Sequence, residues 1–413
     1  MDTRQPKRLL IGVTGGIAAY KVAELARLLH KDGFDLQVVM TRAATHFVGP
    51  ATFQALTGKP VFTDMWDPRA DSGMVHIELS RDRGAIVIAP ASADFIAKVV
   101  HGIGDDLLST LCLARECPLI VAPAMNLQMW ENPATQRNLA LLAHDGVTIL
   151  GPASGDQACG EMGMGRLLEP DELRQGIVAA LQPKLLAGKR VLITAGPTRE
   201  AIDPVRVITN LSSGKMGYAV ARAAYEAGAE VTLVSGPTCL AAPFGVTRIG
   251  VISAEDMLRS VQAHLATSDI FVAVAAVADF RPARPATQKL KRRNRPETVE
   301  MIPNPDILGY AASLPGGPFC VGFAAETEKL DEQAQEKRRA KNLPLLAANL
   351  VQNALGTEDN ALLLFDDAGR HELPHASKLK LARQLIAHIA QLHGRTPRRH
   401  AVADHSTPGA VIP

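Results

Sequence analysis

Two stretches of the chain open in the same way, and this duplication limits the fold more than any other feature. "KRLLIGVTGG" begins at Lys7 and "KRVLITAGPT" at Lys189, and each is a short apolar strand that ends in a glycine-containing turn. An amphipathic helix and a second strand follow, directly in the first stretch and after "SSGKMG" in the second. Each stretch is typical of a β-α-β unit that opens a parallel, doubly wound sheet.

The chain length also indicates more than one domain, because 413 residues is long for a single core. Further apolar runs suit strands that are covered on both faces. They are "AIVIAP" and "PLIVAP" in the first half, and "FVAVAAVADF" (271–280) and "FCVGFAAET" in the second. We predict two Rossmann-like α/β domains, residues 1–188 and 189–395. Residues 396–413 show no periodicity and are predicted to form a disordered tail.

Composition excludes several classes of protein. The net charge of +2 gives no overall field that would favour nucleic acid or an anionic membrane. No stretch approaches the roughly 20 apolar residues that a membrane-spanning helix needs. The 5 cysteines have no C-x-x-C spacing and are too few for a disulfide framework, so we expect a reducing, cytoplasmic location.

Polar loops follow several strands of the first half. The turn in "VTGGIAAYK" offers backbone N–H groups and a helix N-terminus to an anion, although such a turn is as often purely structural. "MTRAATHF", "APASADFIAK" and "APAMNLQMW" follow later strands. Because the carboxyl ends of parallel strands share one edge of the sheet, these loops predict a ligand site there.

These motifs, together with "GIGDDLLST" and "ACGEMGMGR", resemble those of flavin-dependent cysteine decarboxylases. The resemblance is to the phosphopantothenoylcysteine decarboxylase family and covers about residues 7–170. It implies a flavodoxin-like flavoprotein domain with FMN as cofactor. The implied FMN-binding residues are Gly15, Gly16, Thr41, Ser92 and Ser109, and the implied catalytic residues are His76, Asn126 and Cys159.

The chemistry explains why such a set is needed. Loss of CO2 from a simple carboxylate leaves a carbanion without an electron sink, whereas a flavin can first oxidise the neighbouring CH2–SH group. Cys159 would then be the proton donor, on a glycine-rich flap that cannot pack firmly and closes over the substrate. His76 would orient the substrate or assist proton transfer, and Asn126 would bind the substrate carboxylate.

Each of these residues also has a plainer interpretation. Taken alone, Cys159 would be an incidental thiol in a surface loop, since glycine-rich loops are commonly turns. His76 would be a hydrogen-bonded histidine on a strand. Asn126 would cap the segment "NLQMW".

The second half contains two further signals. "LSSGKMG" precedes a helix and fits a phosphate site or an ordinary N-cap equally well, and it lacks the Walker A frame. Downstream, an apolar strand is predicted to end in Asp279. A basic cluster then follows, comprising Lys289, Lys291, Arg292, Arg293 and Arg295. A solvated loop or a nucleic-acid site is an alternative, but no aromatic residues interleave with the cluster, so we favour a nucleoside triphosphate.

The second half resembles the phosphopantothenate–cysteine ligases over about residues 189–390. The matching motifs are "TAGPTRE", "SSGKMG", "AAVADF", "NPDIL", "VGFAAET" and "EKRRAKNL". Decarboxylase followed by ligase is the order found in the bacterial bifunctional coenzyme A biosynthesis proteins. The resemblance implies that CTP activates the 4′-phosphopantothenate carboxylate as an acyl-cytidylate, with Mg2+, before the cysteine amine displaces CMP.

The resemblance also assigns roles in the ligase half. Lys289 would assist activation, Lys337 and Lys341 would bind phosphates from one helical face, and Asn210 would hold the acyl-cytidylate. Asp279 would contact the nucleotide and the metal ion. The complete implied CTP set is Ser212, Gly214, Ala275, Asp279, Lys289, Pro305, Asp306, Ile307, Leu308, Phe323, Lys337 and Lys341. Two positions depart from the family pattern, Leu211 in "NLSSG" and Leu350 in "ANL".

Two other functions remain open at this point. One is a flavin-dependent cysteine decarboxylase that modifies peptides, which the fused second half argues against. The other is a non-catalytic flavoprotein used as a binding module, which the joint presence of His76, Asn126 and Cys159 argues against. The resemblance further implies a homo-oligomer of trimeric decarboxylase and dimeric ligase units, such as a dodecamer, that acts on small molecules.

Overall fold

The computed structural model describes residues 8–67, 74–158, 160–291, 298–326, 330–350 and 357–395. Cys159, the arginines of the basic cluster, the side chain of Leu350 and the tail 396–413 lie outside this description. The chain divides into two compact units, Met1–Gln182 and Pro183–Pro413, here named unit 1 and unit 2. The domain boundary at residue 188 stays a prediction.

Unit 1 is built on a five-stranded parallel sheet. Its strands are β1 (Arg8–Val13), β2 (Asp35–Met40), β3 (Ala85–Ala91), β4 (Leu119–Pro123) and β5 (Thr148–Ile149). Their order in the sheet is β2-β1-β3-β4-β5. A separate antiparallel hairpin follows, formed by β6 (Ala153–Asp156) and β7 (Met162–Arg166).

Helices cover this sheet. They are α1 (Ala19–Lys31), α2 (Pro50–Thr57), α3 (Val75–Ser80), α4 (Ala93–Val100), α5 (Leu107–Ala114), α6 (Leu127–Glu131), α7 (Pro133–His144) and α8 (Pro170–Ala180). The predicted stripe of α1 is confirmed, since Val22, Leu25 and Leu29 are fully buried. Helices α3, α4, α5 and α7 share one core cluster with the sheet, and α1 packs against α8.

Unit 2 contains an eight-stranded sheet and two short hairpins. In chain order the strands are β8 (Arg190–Ala195), β9 (Arg199–Ala201), β10 (Val207–Thr209), β11 (Glu230–Ser235), β12 (Thr247–Gly250), β13 (Ile270–Ala273), β14 (Phe280–Pro282), β15 (Met301–Pro303), β16 (Phe319–Glu326), β17 (Leu345–Leu350), β18 (Asp359–Asp366) and β19 (Gly369–Ser377). The sheet order is β12-β11-β8-β13-β16-β17-β18-β19, while β9 pairs with β10 and β14 with β15. Six strands are parallel, as predicted, and β18 and β19 add an antiparallel edge that the sequence did not indicate.

Within the described ranges, five helices flank the large sheet. They are α9 (Lys215–Glu226), α10 (Ala254–Leu265), α11 (Ile307–Ser313), α12 (Leu330–Ala340) and Lys378–Arg395, here named α13. Residues of α9 and α13 share one core cluster with the sheet, and residues of α10, α11 and α12 share another. Both faces of the sheet are therefore covered, as its continuous apolar strands require. No helix in the described ranges combines the length and the apolar character that crossing a membrane requires.

The predicted strand over 271–280 is shorter than expected. β13 ends at Ala273, and the next residues leave the ladder to follow the turn after β8. The N–H of Ala276 donates to the Gly196 carbonyl at 2.9 Å, and the N–H of Ala278 donates to Thr198 Oγ1 at 3.0 Å. These bonds satisfy the backbone without a sheet partner, so the apolar run serves as the wall of a cavity.

Candidate active sites

The strand order of unit 1 reverses between β1 and β3, which is where open α/β sheets bind ligands. Buried Thr14 ties the turns after these two strands together. Its Oγ1 donates to the Pro90 carbonyl at 2.7 Å and accepts from the Ser92 N–H at 2.9 Å. The two turns therefore form one rigid floor at the carboxyl edge of the sheet.

A cavity of about 690 Å3 opens above this floor. Gly15, Gly16, Ser92 and Asn126 line it. A Cβ on Gly15 would lie 2.6 Å from the Ala43 Cβ, so a larger residue would push the turn after β1 away from the turn after β2. A Cβ on Gly16 would meet nothing within 4 Å. The space next to Gly16 can therefore hold a ring or a phosphate group of a ligand.

Three predicted residues of unit 1 do not line this cavity. The N–H of Thr41 donates to the Val13 carbonyl at 3.0 Å, at the turn after β2. Ser109 is buried in the capping box at the start of α5, where its N–H donates to Asp106 at 2.8 Å. His76 is half-buried on α3, so its predicted strand is wrong. One copy of unit 1 brings together only part of the predicted set.

The glycine-rich stretch around Cys159 forms the hairpin of β6 and β7 in its described part. A Cβ on Gly165 would lie 2.3 Å from the Met125 carbonyl oxygen, and one on Gly163 would lie 2.8 Å from the Leu127 side chain. The N–H of Met125 also donates to the Gly165 carbonyl at 2.9 Å. The expectation that this stretch cannot pack firmly was wrong, because these glycines permit close packing on the segment that follows β4.

Cys159 itself lies outside the described residues, but its neighbours limit where the hairpin tip can be. Ala158 and Gln157 line the cavity. Gln157 closes the tip, since its N–H donates to the Glu161 carbonyl at 2.8 Å and its carbonyl accepts from the Gly160 N–H at 2.9 Å. The residues directly before Cys159 therefore lie at the wall of the cavity.

Asn126 fulfils the capping interpretation and still faces the cavity. Its Oδ1 accepts from the Met129 N–H at 3.1 Å at the start of α6. Its Nδ2 donates to Gln128 Oε1 at 2.6 Å. The amide nitrogen is the part of Asn126 that a ligand could use, and Gln128 orients it.

Lys21 also lines this cavity, although it belongs to none of the predicted site residues. Its side chain is buried, and Nζ donates to Glu169 Oε1 at 2.8 Å. Burial opposes the charge of Glu169, but the hydrogen bond from Lys21 lowers the pKa of that carboxyl. One signal in the sequence could have revealed Lys21. It directly precedes Val22, a residue of the buried stripe of α1.

In unit 2 the strand order reverses between β8 and β13, and a cavity of about 640 Å3 lies at their carboxyl ends. Asn210 lines this cavity together with the predicted CTP residues other than Lys289. The latter are Ser212, Gly214, Ala275, Asp279, Pro305, Asp306, Ile307, Leu308, Phe323, Lys337 and Lys341.

The N-terminus of α9 faces this cavity. Gly214 is the N-cap, with a φ of 76°, and no side chain in the described part of the chain caps the helix. Ser212 instead accepts from the Gly214 N–H at 3.3 Å. The first-turn N–H groups of α9 are therefore free of an ordinary cap, and a phosphate is the ligand that such a helix start favours.

Four lysines line the cavity, namely Lys215, Lys337, Lys341 and Lys378. The N–H of Lys341 donates to the Lys337 carbonyl at 3.2 Å, so the predicted one-turn spacing of this pair is confirmed. Lys341 also pairs with Asp306. Burial acts to raise the pKa of Asp306, but the hydrogen bonds from Lys341 and the Gly309 N–H, together with the charges of Lys341 and Lys337, lower it.

Lys215 and Lys378 were not among the predicted site residues. Lys215 was visible in the "SSGKMG" motif. Lys378 starts α13, far along the chain, and no local pattern marks it. Burial and the neighbouring charge of Lys215 lower the pKa of Lys378, which is consistent with a crowded cationic site that would gain from an anion.

Asn210 and Asp279 both line the cavity. Asn210 Nδ2 donates to the carbonyls of Ala276 at 3.1 Å and Val277 at 3.2 Å. Its Oδ1 thereby takes a defined direction. Asp279 is exposed at the rim, where its carbonyl accepts from the Asn304 N–H at 2.8 Å.

Lys289 lies outside the cavity on an exposed loop. The loop is held by buried Asp203, whose Oδ2 accepts from the Leu290 N–H at 3.1 Å. Arg206 adds a bond to the Leu290 carbonyl at 2.9 Å. The loop is therefore attached to the β9–β10 connection, and within one copy of unit 2 the structure does not bring Lys289 to the predicted nucleotide residues.

Two protein-family models together match nearly the whole chain. Residues 2–182 match the model described as "Flavoprotein". Residues 186–392 match the model described as "DNA/pantothenate metabolism flavoprotein C-terminal domain".

The chain is also similar to curated proteins over most of its length. It is 49% identical over 400 residues to the "Coenzyme A biosynthesis bifunctional protein CoaBC" of Vibrio vulnificus strain YJ016, covering 95% of this chain and 100% of that protein. It is 45% identical over 401 residues to the protein of that name in Escherichia coli strain K12, covering 95% and 99%. Among solved structures, the C-terminal domain of a protein of that name is 41% identical, with a TM-score of 0.45, and covers 52% of this chain and 100% of that domain.

Proposed function

Because the chain belongs to the family of bifunctional coenzyme A biosynthesis proteins, we propose that the cavity of unit 1 is its decarboxylase site and the cavity of unit 2 its ligase site. The chain is an enzyme of coenzyme A biosynthesis with phosphopantothenoylcysteine decarboxylase and phosphopantothenate–cysteine ligase activities. The reactions run in sequence, since the ligase product is the decarboxylase substrate.

One feature supports the ligase assignment most directly. The uncapped N-terminus of α9 and four lysines surround a single cavity. A carboxylate that attacks a nucleoside triphosphate brings anions together, and such a cationic cavity offsets their repulsion. We assign CTP to this cavity, with its phosphates at Ser212, Gly214, Lys337 and Lys341. Exposed Asp279 would hold Mg2+ at the rim.

The ligase chemistry has two steps. A carboxylate oxygen of 4′-phosphopantothenate attacks the α-phosphorus of CTP, and pyrophosphate leaves. The cysteine amine then attacks the acyl carbon, an amide bond forms and CMP leaves. Asn210 is suited to hold the acyl-cytidylate, because its Nδ2 is bonded to the Ala276 and Val277 carbonyls and its Oδ1 is thereby oriented. Phe323 would contact the nucleotide from β16.

To assist activation, Lys289 would have to reach the nucleotide residues, and it does not reach them within one copy of unit 2. We propose that its loop completes the ligase cavity of a second copy in a homodimer. To test this, Lys289→Ala and Asn210→Ala proteins would be dissociated, mixed and reassembled, and CMP release would be measured. Partial recovery of activity is expected, because a mixed dimer has one cavity with both residues intact. Absence of recovery, with reassembly verified by size, would contradict a role across the dimer.

In unit 1 we propose FMN as the flavin of this flavoprotein unit. The residues fit such a group: Gly16 leaves open space in a cavity of about 690 Å3, and buried Lys21 supplies a cation at its wall. When bound, the flavin supplies the reversible oxidation of the substrate thiol that makes loss of CO2 feasible. We expect Thr41 and His76 to contribute from a neighbouring copy, in keeping with the expected trimer, whereas buried Ser109 would act only by fixing the start of α5.

The chain's own groups would position the substrate and deliver a proton. The amide nitrogen of Asn126, oriented by Gln128, would bind the substrate carboxylate without a full positive charge, so that CO2 can leave. The hairpin of β6 and β7 would exclude water and carry the Cys159 thiol as proton donor. His76 would orient the substrate.

A coupled assay of the Cys159→Ala protein tests the decarboxylase assignment. The protein receives 4′-phosphopantothenate, cysteine, CTP and Mg2+, and the products are separated by mass. We expect CMP at the wild-type rate and a loss of 4′-phosphopantetheine of about 10²-fold or more. Cys239→Ala, at an exposed thiol of unit 2, is the matched control. Formation of 4′-phosphopantetheine at the wild-type rate would rule out Cys159 as the proton donor.

Location and assembly belong to the proposal as well. We propose a cytoplasmic homo-oligomer that binds small molecules and no nucleic acid, with trimeric contacts through unit 1 and dimeric contacts through unit 2. Exposed apolar side chains near the unit 1 cavity, such as Ile17 and Tyr20, are available for such contacts.

A further inference from the structure

A second cluster of reactive side chains lies at the antiparallel edge of unit 2. Asp366 ends β18, His371 lies on β19 and His388 lies on α13. One carboxylate oxygen and one ring nitrogen from each histidine lie within 4.8 Å of one another. None of the three residues lines the ligase cavity, so the proposed reactions do not use them.

The carboxylate of Asp366 is held in a fixed direction by the turn between β18 and β19. Its Oδ1 accepts from the N–H groups of Ala368 at 2.8 Å and Gly369 at 3.1 Å. Neither of these backbone bonds uses Oδ2, which faces His388.

Both imidazole rings converge on this carboxylate through Nε2. The nitrogen of His371 lies 3.0 Å from Oδ1, and that of His388 lies 2.8 Å from Oδ2. The ring centroids of the two histidines are 4.8 Å apart, with the planes tilted by 56°. The three donors therefore come from two strands and a helix but occupy one small volume.

The chemistry of the donors selects the ion. Two imidazole nitrogens and one carboxylate oxygen suit Zn2+, whereas Mg2+ and Ca2+ favour oxygen ligands. Tetrahedral zinc, with bonds of about 2.0–2.1 Å, separates its ligand atoms by roughly 3.4 Å. The nitrogen–oxygen distances here are shorter, 3.0 Å from His371 to Oδ1 and 2.8 Å from His388 to Oδ2, so the rings would move outwards to admit the ion. The His371 side chain is 38% exposed, so water can reach the fourth position.

We propose that Asp366, His371 and His388 form a Zn2+ site, with water as the fourth ligand. The ion replaces the two hydrogen bonds between the rings and the carboxylate with metal bonds, and the turn N–H groups keep the carboxylate in place. The site is distinct from the proposed Mg2+ position at Asp279 in both ligand type and location.

The position of the site defines its effect. Zinc would join β18 and β19 to α13, the helix whose first residue, Lys378, lines the ligase cavity. An ion that binds only the folded state stabilises that state. The stabilisation grows with the logarithm of the ratio of ion concentration to Kd. The ion would thus fasten the helix that supplies one of the four cavity lysines.

The test uses the full chain, treated with a chelator and then titrated with Zn2+ by calorimetry and with Co2+ by absorption. We expect the wild type to bind one more ion than His371→Ala and His388→Ala, and its Tm to rise by several degrees with Zn2+ while theirs does not. The Co2+ spectrum should show tetrahedral d–d bands without a thiolate charge-transfer band from this ion. His375→Ala, at an exposed position on β19, is the matched control and should bind as the wild type does.

Two results would overturn the proposal. One is equal ion stoichiometry and equal Zn2+-dependent Tm in the wild type and both variants. The other is a Co2+ spectrum from thiolate ligands only, which would assign the bound ion to cysteines. His371 is the decisive position, because it is the more exposed of the two histidines and its replacement disturbs packing less.

Discussion

The two cavities lie at equivalent points of two similar sheets, yet their walls are made of different chemistry. Glycine, alanine and methionine make up much of the unit 1 cavity wall, and Lys21 and Arg166 there both pair with Glu169. The cavity of unit 2 is lined by four lysines and the N-terminus of α9, and two of these lysines, Lys215 and Lys341, pair with separate carboxylates. The fold provides the location in both cases, and side chains decide whether the ligand is recognised mainly by shape or mainly by charge.

This comparison predicts that the unit 1 cavity is more sensitive to shape. Gly165→Ala would place a Cβ 2.3 Å from the Met125 carbonyl oxygen at a φ of 127°. We expect the β6–β7 hairpin to lose about 2–5 kcal/mol of local stability and the decarboxylation rate to fall at least tenfold, with CMP release unchanged. Decarboxylation of purified 4′-phosphopantothenoylcysteine and urea unfolding of unit 1 measure the two effects.

Gly33→Ala separates backbone strain from the clash in that experiment. Gly33 has a φ of 86°, but a Cβ there would meet nothing within 4 Å. It should cost about 1 kcal/mol and leave decarboxylation intact. Equal decarboxylation rates for Gly165→Ala and the wild type would show that the unit 1 cavity is not sensitive to shape in this way.

The unit 2 cavity should be the more sensitive to charge. Lys341→Ala removes one of four cations and leaves Asp306 near the proposed phosphates. We expect the KM for CTP to rise by about tenfold to a hundredfold, with decarboxylation unchanged, because charge-assisted contacts to phosphate contribute about 1.5–3 kcal/mol. Steady-state CMP release measures this effect, and Lys380→Ala, at an exposed site on α13, is the control. A KM equal to that of the wild type would show that Lys341 does not bind CTP.

The smallest effect concerns acid stability. The pKa of Asp306 in the folded state lies below its ordinary value of 3.8, so its pairing with Lys341 stabilises unit 2 at pH values above that and is lost as the pH falls further. Because this side chain is largely exposed, we expect Asp306→Asn to cost only about 0.5 kcal/mol at pH 7. Urea midpoints for unit 2 from pH 7 to pH 3 should converge for the two proteins at the acid end. A constant difference over this range would contradict the ion pair.

The elements that repeat a simple pattern were predictable from the sequence. The strands β1 and β8, the buried stripes of α1 and α9 and the one-turn spacing of Lys337 and Lys341 all follow from local periodicity. The end of β13 did not, because the residues after Ala273 are as apolar as a strand but bond to the turn after β8. Lys378 was missed because only the tertiary fold brings the start of α13 to the cavity.

The flap glycines show a different kind of failure. Local composition suggested flexibility around Cys159, whereas Gly163 and Gly165 are needed because Met125 and Leu127 approach their backbone closely. Composition cannot distinguish a glycine that moves from one that packs. What makes these glycines pack is the segment just after β4, which lies about 40 residues earlier in the chain but close to them in the fold.

The position of Lys378 has a consequence for the order in which the protein matures on the ribosome. The residues that line the unit 1 cavity have all been synthesised by Leu167, so the flavin-binding unit can fold while the second half is still being translated. The unit 2 cavity is lined by residues from Thr194 to Lys378, and Lys378 arrives only with α13. The cavity lining of unit 1 is therefore complete in a nascent chain earlier than that of unit 2, and premature termination before α13 would leave the unit 2 cavity without Lys378.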